Sequence, residues 1–233
     1  MKRPGPPKGR CPKRDEFRSK AVGLKETYSG LGCVKLVLIG KLNISAPTLC
    51  EILKEEGLIE PGKKMKLKGK RFRAAEPNAM WQIDHVDLGH GQHMLTVLDD
   101  CSGKVLSSNL RKSTELEDVK EILFRCFTEH GNPKAILSDH GTQWYAVCGG
   151  KSEFDRMCEE KRIVHIMGRI RHPQTQGKVE RFHRSLKDET GINEVADLKE
   201  KRRVLDDYVL FYNGVRPHWG IELKVPNDVY YAV

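Results

Sequence analysis

Glu180 stands at the start of a helical pattern whose neighbouring charges are mostly positive: Lys178, Arg181, Arg184 and Lys187. Val179, Phe182 and Leu186 recur on one face of that pattern, just after the interruptions at Pro173 and Gly177. A single carboxylate on a basic helix is most often a partner in a solvated ion-pair face. Two further acids give Glu180 company. Asp84 falls in the strand-like stretch 81–88 and Asp139 follows the strand-like run 134–138, and both are read as sitting at strand ends. Carboxylates brought together from distant segments are hard oxygen ligands suited to divalent cations.

Other acids fit plainer roles. Asp87 is three residues after Asp84 and points to the opposite face of an alternating strand. Asp99 and Asp100 occupy a turn, where short acidic side chains bond to nearby backbone. Asp155, Glu159 and Glu160 read as solvated helix positions. His172 and His183 could serve as ligands or bases, and a structural role or a contact with the bound partner is the simpler assignment for both.

Several elements must place these residues. Stretches 81–88, 93–99 and 104–110, separated by glycine-containing turns, read as an antiparallel meander. Ser113 or Thr114 can cap a helix with Leu116, Val119, Leu123, Cys126 and Phe127 on its apolar face, ended at Gly131-Asn132-Pro133. A strand over 134–138 then delivers Asp139. Phe154, Met157 and Cys158 mark another helix, 163–170 a further extended segment, and 197–212 a last amphipathic helix.

Two segments carry a family likeness. Ser138-Asp139-His140-Gly141-Thr142-Gln143 and His172-Pro173-Gln174-Thr175-Gln176-Gly177-Lys178-Val179-Glu180-Arg181-Phe182-His183, following Asp84, resemble the catalytic core of retroviral-type integrases and bacterial insertion-sequence transposases. The likeness spans roughly residues 76–231. His140 departs from the Asn common in the family. The 40 residues between Asp139 and Glu180 exceed the family's usual interval of about 35, and 145–152 is where the extra residues fit. Tyr212-Asn213-Gly214-Val215-Arg216-Pro217-His218 resembles the element that closes the core in insertion-sequence transposases, with packing as its expected role.

The resemblance implies an α/β, ribonuclease-H-like mixed five-stranded sheet flanked by helices. It implies DNA transposase or integrase chemistry: cleavage at element ends, then joining of the freed 3′ hydroxyl to target DNA. Asp84, Asp139 and Glu180 would be the catalytic metal ligands, Asp84 bridging two magnesium ions, with manganese able to substitute. Lys178, Arg181 and Lys187 would meet phosphates, with Gln143, Gln174 and Thr175 making polar contacts to DNA. A homo-oligomer on DNA follows from the need to hold two ends. Other classes stay open: a DNA-binding regulator or inactive remnant, and a nuclease that cuts without joining.

The charge is uneven. Residues 1–80 hold 19 Lys+Arg against 8 Asp+Glu, and residues 81–233 hold 22 against 24, so the net +9 belongs to the amino-terminal third. A positive region beside a near-neutral body suits a polyanion-binding attachment on an enzyme. Residues 1–20 read as a flexible basic arm, 21–61 as a helix-turn-helix-like DNA-binding region, 62–75 as a basic linker and 76–233 as the core. Within 21–61, Ser45 caps a helix with Pro47 in its first turn and Leu49, Ile52 and Leu53 on one side. The arrangement resembles the helix-turn-helix units that precede the core in insertion-sequence transposases, which implies Ala46, Thr48 and Lys54 toward DNA, with a plain helical hairpin as the alternative. Seven cysteines without a Cys-x-x-Cys pair suggest reduced thiols and neither a disulfide framework nor a structural zinc. No run reaches the ~20 apolar residues of a membrane span. With the transposase likeness, this points to a soluble cytoplasmic, nucleoid-associated protein of a prokaryote.

Overall fold

A computed structural model describes residues 12–59, 72–112, 115–139, 151–168 and 177–232. The chain divides into two compact units, Met1–Leu67 and Lys68–Val233. The first contains three helices: α1 (Pro12–Thr27), α2 (Cys33–Ile39) and α3 (Ala46–Glu55). Leu36, Leu49, Ile52 and Leu53 are fully buried between them, together with Ala21. The α3 start is as expected, with the Ser45 hydroxyl accepting from the Thr48 amide and Pro47 in the first turn. The α2–α3 turn needs Gly40, where an added Cβ would collide with Leu24 and Leu42.

Two expectations fail in this unit. Residues 12–20 belong to a helix, not to a flexible arm: Pro12 takes the first helical position, where its missing N–H costs nothing. Arg18 on that helix is tied to Glu55 at 2.8 Å and to Glu56. Cys33 and Cys50 form a disulfide with Cα atoms 5.7 Å apart, because packing of α2 on α3 brings together thiols 17 residues apart in sequence. Among the described residues the free cysteines are Cys101, Cys126 and Cys158, all buried.

The second unit is built on five strands, β1 (Met80–Asp87), β2 (His93–Asp99), β3 (Val105–Arg111), β4 (Ala135–Ser138) and β5 (Val164–Met167). Their order is β3-β2-β1-β4-β5. The first three form the antiparallel meander, while β4 lies parallel to β1 and β5 parallel to β4. The helices of this unit are α4 (Leu116–His130), α5 (Glu153–Glu160), α6 (Gly177–Thr190), α7 (Leu198–Gly214) and α8 (Pro226–Tyr230).

Alternation along the strands divides the side chains between two faces. Trp81, Ile83, Leu95, Val97 and Ile136 pack against α4 and α5 through Val119, Leu123, Phe127 and Phe154. Leu88, Met94, Leu98, Val105 and Leu110 pack against α6 and α7 through Phe182, Leu186, Leu205 and Tyr208. Strand β2 is therefore covered on both faces, which is why its burial runs unbroken from Met94 to Asp99.

The strand and helix positions match the sequence reading to within a residue or two at most ends, with three local differences. Asp84 is the fifth residue of eight in β1, inside the strand and not at its end. Helix α4 starts after Glu115, which makes no side-chain cap; Ser113 and Thr114 lie outside the described residues. Asp155 is not simply solvated, since it forms a capping box with Ser152 at the start of α5. No described helix is long and apolar enough to cross a membrane.

Candidate active site

Alternation places Gln82, Asp84 and Val86 on the sheet face covered by α6, since Gln82 bonds to that helix and Val86 joins its apolar cluster. Asp84 lies directly opposite Thr96 on β2. On its other side the parallel ladder pairs Gln82 with Leu137, and continuing that register by two residues brings Asp139 level with Asp84. Glu180 arrives from the first turn of α6. The Val179 amide beside it donates to Gln82 Oε1 at 3.2 Å, so a buried glutamine two residues from Asp84 fixes the start of the helix.

Asp84 senses the other two acids. Burial pushes the Asp84 carboxyl up to about 7, aided by the negative charges of Asp139 and Glu180 and opposed by the His85 amide, which donates at 2.9 Å. Asp139 also acts on His85, whose pKa burial lowers and Asp139 raises. Among the described residues, no three Asp, Glu, His or Cys side chains are already drawn into a ligand set. The carboxylates thus share an electrostatic neighbourhood without being closed around a common point, and Glu180 remains exposed.

His183 backs Asp84. Its Nδ1 lies 3.6 Å from Asp84 Oδ2 and its Nε2 is 3.0 Å from Thr96 Oγ1. Burial, with Lys187 and His85 nearby, drives its pKa down to about 3, so the ring is neutral and the contact with Asp84 is not an ion pair. Of the structural and DNA-contact roles expected of His183, its burial against Thr96 and Asp84 fits the structural one.

A second polar cluster anchors α6. Asp100 is buried and accepts from the Ala74 amide at 2.6 Å, from Gln82 Nε2 at 2.6 Å and from Lys178 Nζ at 2.7 Å. Lys178 also donates to the Asp100 carbonyl. The expectation of a phosphate-facing Lys178 is therefore corrected: its ammonium is engaged in holding the helix to the β2–β3 turn. Asp99 accepts from the Asn78 and Ser102 amides and from the Ser102 hydroxyl, which is the turn chemistry expected of it. Lys187 donates to the Asp87 carbonyl at 2.8 Å, while Asp87 is exposed and turned away from the site. Arg181 is exposed on the same helix.

In the first unit Lys54 is exposed and Thr48 half-buried, away from the Leu49, Ile52 and Leu53 face, with the Thr48 hydroxyl bonded to Ser45. Gln143, Gln174, Thr175, His140 and His172 lie outside the described residues. The Tyr-Asn-x-x-Arg-Pro-His element packs the end of α7. Asn213 bonds both backbone groups of Val105, and Arg216 pairs with the half-buried Glu189, which also accepts from Tyr208.

Sequence reasoning missed Gln82, Asp100 and Thr96 as supports of the site. Their signal was weak, because each acts through partners 12 to 97 residues away.

Comparison with known proteins follows the same outline. A sequence profile described as integrase core domain matches residues 74–173, and a second profile of the same description matches residues 161–226. The Gag-Pro-Pol polyprotein of Mason-Pfizer monkey virus is 33% identical over 118 residues, covering 49% of this chain and 6% of its own length. An uncharacterized protein of Caenorhabditis elegans is 26% identical over 160 residues, covering 67% of this chain and 12% of its own. The chain thus spans a small fraction of these relatives.

Two solved structures share the fold. One is the simian T-cell lymphotropic virus intasome in complex with a PP2A regulatory subunit, with a TM-score of 0.57 and 19% identity, covering 91% of this chain and 74% of that one. The other is the HTLV-2 integrase catalytic core domain in complex with magnesium, with a TM-score of 0.54 and 19% identity, covering 68% of this chain and 100% of that one. These retroviral and nematode relatives overturn the placement in a prokaryotic cytoplasm and nucleoid, and point to a eukaryotic or viral origin.

Proposed function

Because the chain belongs to the integrase core domain family, we propose that it is a DNA integrase or transposase that cleaves the ends of a DNA element and joins them to target DNA. The observation that carries this reading is the Asp84 carboxyl, pushed up to about 7 by burial and by the charges of Asp139 and Glu180. The charges of Asp139 and Glu180 act on Asp84, a bound cation would offset that repulsion, and all three side chains offer the hard oxygens that magnesium and manganese prefer.

Asp84, Asp139 and Glu180 would hold two divalent ions, Asp84 from the central position. When bound, magnesium supplies Lewis-acid activation of the attacking oxygen and neutralises charge on the departing 3′ oxygen in an in-line phosphodiester displacement. The chain's own residues prepare this. Asp84 would release its proton to take up a cation, neutral His183 and Thr96 hold the strand behind it, and Gln82 with the Asp100–Lys178 pair sets the start of α6, from which Glu180 would turn inward. Arg181 and Lys187, exposed or partly so, would meet DNA phosphates, and Thr48 and Lys54 would contact element ends. A homo-oligomer would hold two ends together.

The test is an oligonucleotide assay with magnesium, scored for 3′-end cleavage and for joined products. Asp84→Asn, Asp139→Asn and Glu180→Gln should each lower both products at least a hundredfold while leaving DNA binding largely intact, a loss on the order of 3 kcal/mol in barrier. Full activity in any one variant removes that residue from the site. Cleavage without joining in the unmodified protein would favour a nuclease instead.

A further inference from the structure

On the sheet face opposite Gln82 and Asp84, three side chains that nothing above assigns to the chemistry form an unbroken hydrogen-bonded chain ending one residue before Asp139. Ser138 Oγ lies 2.7 Å from His165 Nε2, and His165 Nδ1 lies 2.6 Å from Asp155 Oδ1. Ser138 comes from the last position of β4, His165 from β5 and Asp155 from the first turn of α5. The order of types matches a hydrolytic triad, but Ser138 is 0% exposed, so no substrate could reach its hydroxyl and a nucleophilic role is excluded. The chain has a different use.

Each link is fixed from outside. The other oxygen of Asp155 accepts from the Ser152 amide at 3.1 Å and the Ser152 hydroxyl at 2.8 Å. The His165 ring is nearly inaccessible and stands edge-on to the fully buried Phe154 at 4.7 Å between centroids. A carboxylate at Nδ1 places the proton there, which leaves Nε2 to accept the Ser138 hydroxyl proton. Ser138 is held a second time through its backbone, as the Gly168 amide donates to its carbonyl at 2.8 Å.

We propose that Asp155, His165 and Ser138 are positioning residues for Asp139. They clamp the final residue of β4 to β5 and α5, so that the next residue presents its carboxylate beside Asp84 at a fixed height. The need is local. The β4–β5 ladder ends at Ser138, and Asp139 lies just past it. A cation pulling on Asp139 therefore pulls against whatever holds Ser138. Outer partners of metal ligands act in this way, and losing one typically weakens metal affinity about 10–100-fold. The inference rests on the proposed reading of Asp139 as a metal ligand.

The experiment is a manganese titration of the full chain followed by the electron paramagnetic resonance signal of free Mn2+, with thermal melting of each variant in parallel. His165→Leu and Ser138→Ala should weaken Mn2+ binding about tenfold. His165→Gln keeps a donor toward Asp155 and an acceptor toward Ser138, so it should stay within about twofold of the unmodified protein. Asp139→Asn serves as the reference for loss of a ligand. Ser138→Ala, the smaller change, carries the test if His165→Leu fails to fold.

Unchanged Mn2+ affinity in His165→Leu and Ser138→Ala, with Asp139→Asn impaired, overturns the positioning role and leaves the site reading standing. Equal impairment of His165→Leu and His165→Gln also overturns it, because packing and not hydrogen bonding would then be what matters. Unimpaired binding in Asp139→Asn removes the site reading and this inference together.

Discussion

At the scale of the residue, Asp84 links stability to pH. Its pKa rises from an ordinary 3.8 to about 7, first through burial and then through Asp139 and Glu180. The folded protein thus binds a proton that the unfolded chain releases, and metal-free stability falls as the pH climbs from about 4 to about 7. A shift of this size corresponds to a few kcal/mol, on the order of 1.4 per unit. Asp84→Asn abolishes that penalty. Its stability advantage, measured by urea unfolding without metal, should be near zero at about pH 4 and complete above about pH 7; an advantage independent of pH contradicts the assignment. His183 runs the other way: with its pKa lowered to about 3, it holds stability fully above about 6.5 and loses it as the pH falls toward 3. Magnesium should raise the melting temperature far more at pH 8 than at pH 5.5, since Asp84 must be ionised to bind it. The three acids were singled out by the segments around them. The neutral histidine and the threonine behind Asp84 were not, because a cross-strand neighbour is set by register, and no local pattern prints register.

At the scale of the element, α6 is the part whose placement matters most. Its apolar stripe of Val179, Phe182 and Leu186 was legible from period and is buried as read. Its anchor was not, since Lys178 pairs with Asp100 across 78 residues and looks in sequence like one more basic side chain on a charged face. Asp100→Ala leaves the Lys178 charge, Gln82 and the Ala74 amide without their shared acceptor, and should cost about 3 kcal/mol of unfolding free energy in a denaturant titration. A cost below about 1 kcal/mol would mean that the helix is held by its apolar face alone. Helix α1 teaches the complementary lesson. Its proline and basic residues read as an arm, yet Pro12 at the first position and a following run with no further proline are ordinary helix chemistry.

At the scale of the whole molecule, charge and cysteine separate the two units. The basic excess of residues 1–80 belongs mostly to the helical unit and the segment after it. Deleting residues 1–60 should weaken binding to element-end DNA and flatten its dependence on salt; an unchanged slope contradicts a phosphate-binding role for that region. Reducing the Cys33–Cys50 disulfide, which closes a 17-residue separation, should destabilise the first unit by about 3 kcal/mol while the melting of the second stays put. The sheet order was available only through the family likeness, because a parallel β4 beside β1 depends on a crossover that periodicity does not reveal. The disulfide was invisible for a similar reason, as two thiols in separate helices meet only once those helices pack.

The most direct test of the central claim is a crystal structure of the protein with manganese, its ions located by anomalous scattering. The expected result is metal bound by carboxylate oxygens of Asp84 and Asp139, with Glu180 turned inward to complete the set, at distances of about 2.0–2.3 Å. Manganese bound elsewhere, with no ion within reach of the Asp84 and Asp139 carboxylates and Glu180 still turned to solvent, would contradict it.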